Sequence, residues 1–301
     1  MQQILLGAVS LGLLWSIMTL GVYISYRILD VADLTVEGSI TLGAAVCANM
    51  ITSGNDPVLS LLIAFIGGTA AGLVTGLLHT KLRIPALLSG ILTMIALYSV
   101  NLRVMGMSNV SLLRMTTAYS KISDWLGVNK TISVIIIGGA AAVGLVFILY
   151  WFFGTQIGSA IRATGNNPHM VRAQGINTDT AIIIGLMLAN GLVALSGGLI
   201  AQSQNYADVQ MGTGAIVIGL ASLIIGEVLF GKRGFKSRLI SMIFGAITYR
   251  IIIALVLRMG MPADDLKLFT AITVALALSL PRFRELRDTF KASISGRKRH
   301  A

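Results

Sequence analysis

TISVIIIGGAAAVGLVFILYWFF, residues 131–153, carries no Asp, Glu, Lys or Arg. Its length reaches the roughly 20 apolar residues that an α-helix needs to cross the hydrocarbon core of a bilayer. Working outward, eight further apolar runs flank it, at 4–26, 36–52, 58–78, 84–102, 180–202, 215–230, 239–257 and 268–280. The runs at 36–52, 215–230 and 268–280 are short. A short or Gly-interrupted span can stop part-way only where other helices cover the backbone it frees. The expectation is an all-α polytopic membrane helix bundle of about nine spans.

Composition agrees. The chain is 55% hydrophobic and 12% charged, with a mean hydropathy of +0.84, whereas a soluble domain carries about 25% charged residues. That deficit cannot coat a soluble globule, so residues 1–285 read as one transmembrane domain and 286–301 as a basic tail. The first run is too long for a secretory signal and lacks its positive flank, so it reads as a retained span. The single cysteine, Cys47, sits in an apolar stretch and excludes both an internal disulfide and a cysteine metal cluster.

The net charge of +11 is explained by topology. Arg27, Lys81, Arg83, Arg162, Arg172, Lys232, Arg233, Lys236, Arg238 and the basic residues from Arg282 to Arg299 fall between runs on one side. Arg103, Arg114, Lys121, Lys130, Arg258 and Lys267 fall on the other. Lys and Arg accumulate on cytoplasmic loops, which puts the C-terminus inside and, with an odd span count, the N-terminus outside. No nucleic-acid partner is needed to account for the charge; the lipid bilayer is.

The 33 glycines recur at three- to five-residue intervals inside spans, as at Gly68, Gly72 and Gly76, a spacing that lets helix backbones approach closely in lipid. Gly38-Ser39-Ile40-Thr41-Leu42-Gly43 is weakly echoed by Gly214-Ala215-Ile216-Val217-Ile218-Gly219. The two would run in opposite directions, as in an inverted repeat.

Residues 154–180, GTQIGSAIRATGNNPHMVRAQGINTDT, are too structured for a passive linker. Asn167 before Pro168 forms an N-cap with proline at the first helical position, and Gly175 before Ile176 has the form of a glycine C-cap with its hydrophobic follower. About seven helical residues fit between them. Asn177 or Thr178 can cap the next span, joining the loop rigidly to it. By composition alone the segment is equally an interfacial helix stabilising a turn.

Ser159 to Pro168 (SAIRATGNNP), continuing through Arg172-Ala173-Gln174-Gly175-Ile176-Asn177, resembles the coupling-helix loop of ABC importer permeases of the branched-chain amino acid and ribose type. The family pattern is close to R-A-x-G-x-N-x-x-A-A-x-x-x-G-I-N. Asp33-Leu34-Thr35-Val36-Glu37-Gly38 resembles the family's D-L-S-x-G segment, with Glu37 intruding before the glycine. Gly191 to Leu199, Gly212-Thr213-Gly214 and Gly226 to Gly231 follow its Gly-rich second half, with Glu227 where a second glycine usually stands. The resemblance covers about residues 4–285 and is nearest to the branch linked to aromatic amino acids such as tryptophan and tyrosine.

The resemblance implies a permease that pairs with a second copy or homologue in a bacterial inner membrane. Two cytoplasmic ATPase subunits would hold ATP and Mg, so this chain binds no cofactor, and an extracytoplasmic binding protein would deliver solute. The coupling loop, 155–179, would meet the ATPase through Arg162, Asn166, Asn167, Pro168, Met170, Arg172, Gly175 and Ile176, the two arginines pairing with acidic groups. Few charges lie in the spans, which favours a neutral or zwitterionic solute. A branched-chain or aromatic amino acid comes first, then a sugar or nucleoside. An ion-coupled secondary transporter is the alternative, but such proteins tend to carry Asp, Glu or His relays at mid-membrane, and this chain offers little of that kind.

Residues 226–233, GEVLFGKR, nearly spell a phosphate-binding loop but end in arginine, where the hydroxyl that holds Mg²⁺ is required. His79, His169 and His300 stand apart, with no carboxylate or cysteine at ligand spacing, so no metal site is expected. No nucleophile motif is present, which points away from an enzyme. Arg250 and Glu227 are the clearest ionisable groups within spans, and such groups are costly and often functional. Arg250 reads equally as a solute-path residue or a member of an inter-helix network. Glu227 reads as an anchor for the turn at Lys232 and Arg233.

Overall fold

A computed structural model describes residues 2–230, 234–258 and 268–272, with 275 and 279. Its helices are α1 (Gln2–Val22), prolonged by a π-helical turn (Tyr23–Ile28), then α2 (Thr35–Thr52), α3 (Pro57–Thr80), α4 (Ala86–Met105), α5 (Ala118–Leu126) and α6 (Lys130–Gly154). After these come α7 (Gln156–Asn166), α8 (Pro168–Ala173), α9 (Thr178–Gln204), α10 (Ala215–Phe230) and α11 (Phe235–Arg258). The run that opened the sequence reading becomes the 25-residue α6, about 37 Å long at 1.5 Å per residue.

Among the described residues six helices are long and apolar enough to cross a membrane: the first through Ile28, α3, α4, α6, α9 and α11. The expected count of nine is therefore not reproduced. Two of the three short runs are the helices α2 (18 residues) and α10 (16 residues), sheathed by their neighbours. Of the run at 268–280 only residues 268–272, 275 and 279 are described, and the tail at 286–301 and the turn at 231–233 lie outside the described residues. Two features lie in the connections between the long helices. Tyr119, in the first turn of the amphipathic α5, is fully buried, and β1 (Asn109–Ser111) pairs antiparallel with β2 (Tyr206–Asp208), Asn109 facing Asp208.

Burial separates centre from rim. Two-thirds (67%) of the apolar windows of α1 and α9 is buried, against 28–33% for α3, α4, α6 and α11. The outer helices turn Leu62, Ile66, Ile95 and Phe147 outward, as lipid-facing surfaces do.

Packing has a two-fold pattern. α1 lies on α11 as α9 lies on α3, α2 sits between α3 and α9, and α10 sits between α11 and α1. Exchanging α1-α2-α3 for α9-α10-α11 maps each contact onto another, and the echoed GSITLG and GAIVIG stretches open the short helix of each set. Inverted repeats produce this arrangement. Close backbone approach makes it possible. A Cβ on Gly43 of α2 would stand 1.9 Å from Ala194 O of α9, and one on Gly197 would stand 1.9 Å from Ile40 O. No larger residue fits there.

Candidate functional site

The loop between α6 and α9 folds as its capping signals dictate. Asn167 Oδ1 accepts the Met170 N–H at 3.1 Å, Pro168 takes the first helical position, and α8 runs for six residues, one short of the expected length. Gly175 turns the chain at φ +78°. Its N–H donates to Arg172 O (3.0 Å) and the Ile176 N–H to Val171 O (3.2 Å), the 6→1 closure of a Schellman end. Asn177 Oδ1 then accepts the N–H groups of Asp179 and Thr180, starting α9 immediately. A second helix, α7, which the sequence reading had not separated, begins at a Thr155 cap.

Only Val171 of α8 is buried. Pro168, His169 and Met170 are exposed, as are Gly175 and Ile176 beyond them, and Asn166 and Asn167 before them. Both arginines, expected to meet acidic groups of a partner, also have partners within the chain. The Arg162 guanidinium lies 4.6 Å from the Phe235 ring centroid. Arg172 Nε donates to Thr178 Oγ1 (2.6 Å), and its terminal nitrogen lies 3.3 Å from Asp179 Oδ1.

These contacts fasten the loop to the two central helices. Arg172 ties α8 to the start of α9. Gly165 of α7 is pressed on the end of α1, where a Cβ would stand 1.8 Å from Ile28 O. Between the end of α1, α7 and α11 lies a cavity of about 740 Å³, bordered by Arg27, Arg162, Asn166 and Arg238.

Glu227 and Arg250 are not brought together. Glu227, nearly buried, accepts from Arg27 Nε at 3.0 Å. This bond locks the π-helical end of α1 to the end of α10, while the expected anchoring of the turn at Lys232 and Arg233 falls on residues outside the described ones. The Arg250 guanidinium lies 4.1 Å from the Trp15 ring centroid, a cation–π contact between α11 and α1. Its Nε has no hydrogen-bond partner among the described residues. The near-phosphate loop is not a loop: residues 226–230 are the end of α10, and Gly226 packs against Ser241 O of α11.

A second site joins the two helix sets. Asp33, buried in the break before α2, accepts the Thr35 N–H at Oδ1 (2.9 Å) and Asn190 Nδ2 at Oδ2 (2.7 Å). Ser39 donates to Asn190 Oδ1 (2.7 Å). Thr35, Thr75 and Thr93 continue the chain of hydroxyls across α2, α3 and α4. Such buried groups are tolerable only because they satisfy one another. Glu37, on the first turn of α2, accepts the Gly214 N–H of the segment before α10 at Oε1 (3.0 Å). A cavity of about 430 Å³ lies beside it, bordered by Glu37, Thr41, Tyr98, Ser99, Asn101 and Thr213.

Sequence reading passed over Asn190 and Asn101 and took Arg27 only as a marker of topology. Their only signal is a polar residue in or beside an apolar run. At the opposite end of the bundle from α8, Lys121 of α5 bonds Asp56, the cap of α3, and holds its carboxyl below the usual range. Among the described residues no group of three His, Cys, Asp or Glu is placed to hold a metal ion.

Relatives agree with this architecture. A family profile described as branched-chain amino acid transport system / permease component matches residues 4–278. The tyrosine transport system permease protein of Clostridioides difficile is 42% identical over 89% of this chain and 88% of its own. The ribose import permease of Escherichia coli K12 is 26% identical over 71% of this chain and 66% of its own. A solved structure, PsaBC from Streptococcus pneumoniae in complex with Fab, shares the fold at TM-score 0.52 and 16% identity, over 95% of this chain and 94% of that one. The chain belongs to the branched-chain amino acid transport system permease family and is a membrane-spanning permease component of an ABC importer, a transport subunit rather than an enzyme.

Proposed function

We propose that this chain forms the path for a small amino acid, aromatic or branched-chain, across a bacterial inner membrane. The observation that carries the solute class is the 42% identity to a tyrosine transport permease over nearly the whole chain. The working unit pairs two permease copies with two ATPase subunits, which bind ATP and Mg on the cytoplasmic side, and an extracytoplasmic binding protein. The basic end, with α7 and α8, faces the cytoplasm, and the N-terminus lies outside.

In this reading α8 is the element the ATPase moves. Met170 (52% exposed) and Ile176 (37% exposed) offer an apolar contact on a capped, rigid helix. Arg162, Asn166, Asn167, Pro168, Arg172 and Gly175 shape and hold it. Because α8 is fastened to α9, and α7 to α1, a push on the loop is delivered to the two central helices. The short α2 and α10 pack against those helices, so their crossing opens or closes in response. Arg250 serves the α11–α1 contact and Glu227 the α1–α10 contact.

Co-expression with a candidate ATPase tests the reading. The ATPase should co-purify with the wild-type chain and be lost from Met170→Glu/Ile176→Glu. Proteoliposomes with the binding protein should take up L-tyrosine or L-leucine only with ATP. Uptake that persists without ATP would point to an ion-coupled transporter, and uptake of ribose alone would exclude the amino-acid class.

A further inference from the structure

α2 and α10 each follow a non-helical segment, residues 29–34 and 209–214. Irregular backbone at membrane depth survives only where protein covers it or it lines a cavity, and transporters built from inverted repeats bind solute at such breaks. Here the second break meets the first turn of α2, just beyond the first break. Gly212 is so close to α2 that a Cβ would stand 2.0 Å from Glu37 O, and Gly214 donates to the Glu37 side chain. The 430 Å³ cavity opens at this meeting point, within the size range of small-ligand sites, about 300–1,000 Å³.

The charge on its wall is one-sided. Glu37 is held in place by the Gly214 N–H at Oε1, and among the described residues no Lys, Arg or His forms an ion pair with it. Asn101 is 1% exposed; its Nδ2 donates to Gly38 O at 3.1 Å, while its Oδ1 has no hydrogen-bond partner among the described residues. A buried carbonyl oxygen left unpaired calls for an explanation. A carboxylate and an unmatched amide oxygen border one cavity whose other polar groups are the hydroxyls of Thr41, Tyr98, Ser99 and Thr213, which donate or accept, and no Lys, Arg or His is among the residues that border it. A primary ammonium, with three N–H groups and a positive charge, complements the carboxylate and the amide oxygen. Across the same cavity Tyr98 is half-exposed, and Met94 and Ile95 add apolar surface.

We propose that Glu37 and Asn101 read the α-ammonium group of the transported amino acid while Tyr98 of α4 receives its side chain. The inference rests on the amino-acid reading above and assigns the residues that would enforce it. It also gives a use to the glutamate that departs from the family's D-L-S-x-G segment.

The test places one thiol at the cavity, Ser99→Cys, in the assembled permease–ATPase complex in lipid nanodiscs; the native Cys47 is fully buried. L-Tyrosine should slow maleimide labelling several-fold. 3-(4-Hydroxyphenyl)propanoate, which keeps the ring and carboxylate but lacks the amine, should not. Adding Glu37→Gln, which keeps an oxygen for Gly214, should raise the tyrosine concentration for half-protection about ten- to a hundredfold, the range for one hydrogen bond to a charged group. Equal protection by the two compounds, or an unchanged midpoint in Glu37→Gln, overturns the proposal. If Glu37→Gln fails to assemble, the comparison of the two compounds on Ser99→Cys alone decides it. Uptake separates the levels: amino-acid uptake with amine-blind labelling sinks this inference alone, whereas ribose uptake without amino-acid uptake sinks the solute class with it.

Discussion

A single methyl group tests whether α7 carries force to α1. In Gly165→Ala the new Cβ would lie 1.8 Å from Ile28 O and 2.8 Å from Leu29 Cα, where ordinary contact begins near 3.4 Å. Both nearest atoms are backbone, so no rotamer relieves the clash. α7 and the end of α1 must separate by about 1.5 Å to restore contact distances. Overpacking of this kind costs about 1–3 kcal/mol, equivalent to a five- to 150-fold loss of the seated arrangement. The control is Gly144→Ala in α6, whose Cβ meets nothing within 4 Å and which gains up to about 1 kcal/mol of helix propensity. The readout is ATP hydrolysed per solute imported in proteoliposomes. Gly165→Ala should keep hydrolysing ATP while its ratio rises several-fold, and Gly144→Ala should match wild type. Wild-type coupling in Gly165→Ala would refute the claim that α7 must sit on α1.

Two further predictions concern stability. Asn190→Leu removes the amide that serves both Asp33 and Ser39 and should lower thermal stability in detergent by about 2 kcal/mol or more, the cost of stranding buried polar groups; Asp33→Asn in the same background should recover part of it, because an amide leaves no charge unpaired. Lys121 holds the Asp56 carboxyl below its ordinary value of 3.8, so this contact stabilises the fold above that pH and is lost as pH falls through the lower folded value; melting temperatures of wild type and Lys121→Met should differ at neutral pH and converge well below pH 3.8.

Local order in this protein is written in adjacent residues. The Asn167-Pro168 start of α8, its Gly175 stop and the Asn177 cap act over three or four positions, so short-range hydrogen bonding alone dictates them. Uninterrupted apolar runs likewise determine that the chain lies in a membrane, because no other solvent accepts them. The same runs conceal the rest. A helix apolar all round carries no period to say which face turns inward, so nothing in the sequence joins Asp33 to Asn190, 157 positions away, or Arg27 to Glu227, 200 away. Helix rotation within the bundle decides those pairs, and glycines at backbone contacts fix the rotation. Likewise the shortness of α2 and α10 is plain in the sequence, but that their starting ends meet at Glu37 and Gly214 follows only from the packing of two inverted helix sets. The sequence determined that this is a membrane-embedded permease with a preformed, self-capped loop helix; the tertiary structure alone decided where its few buried charges meet.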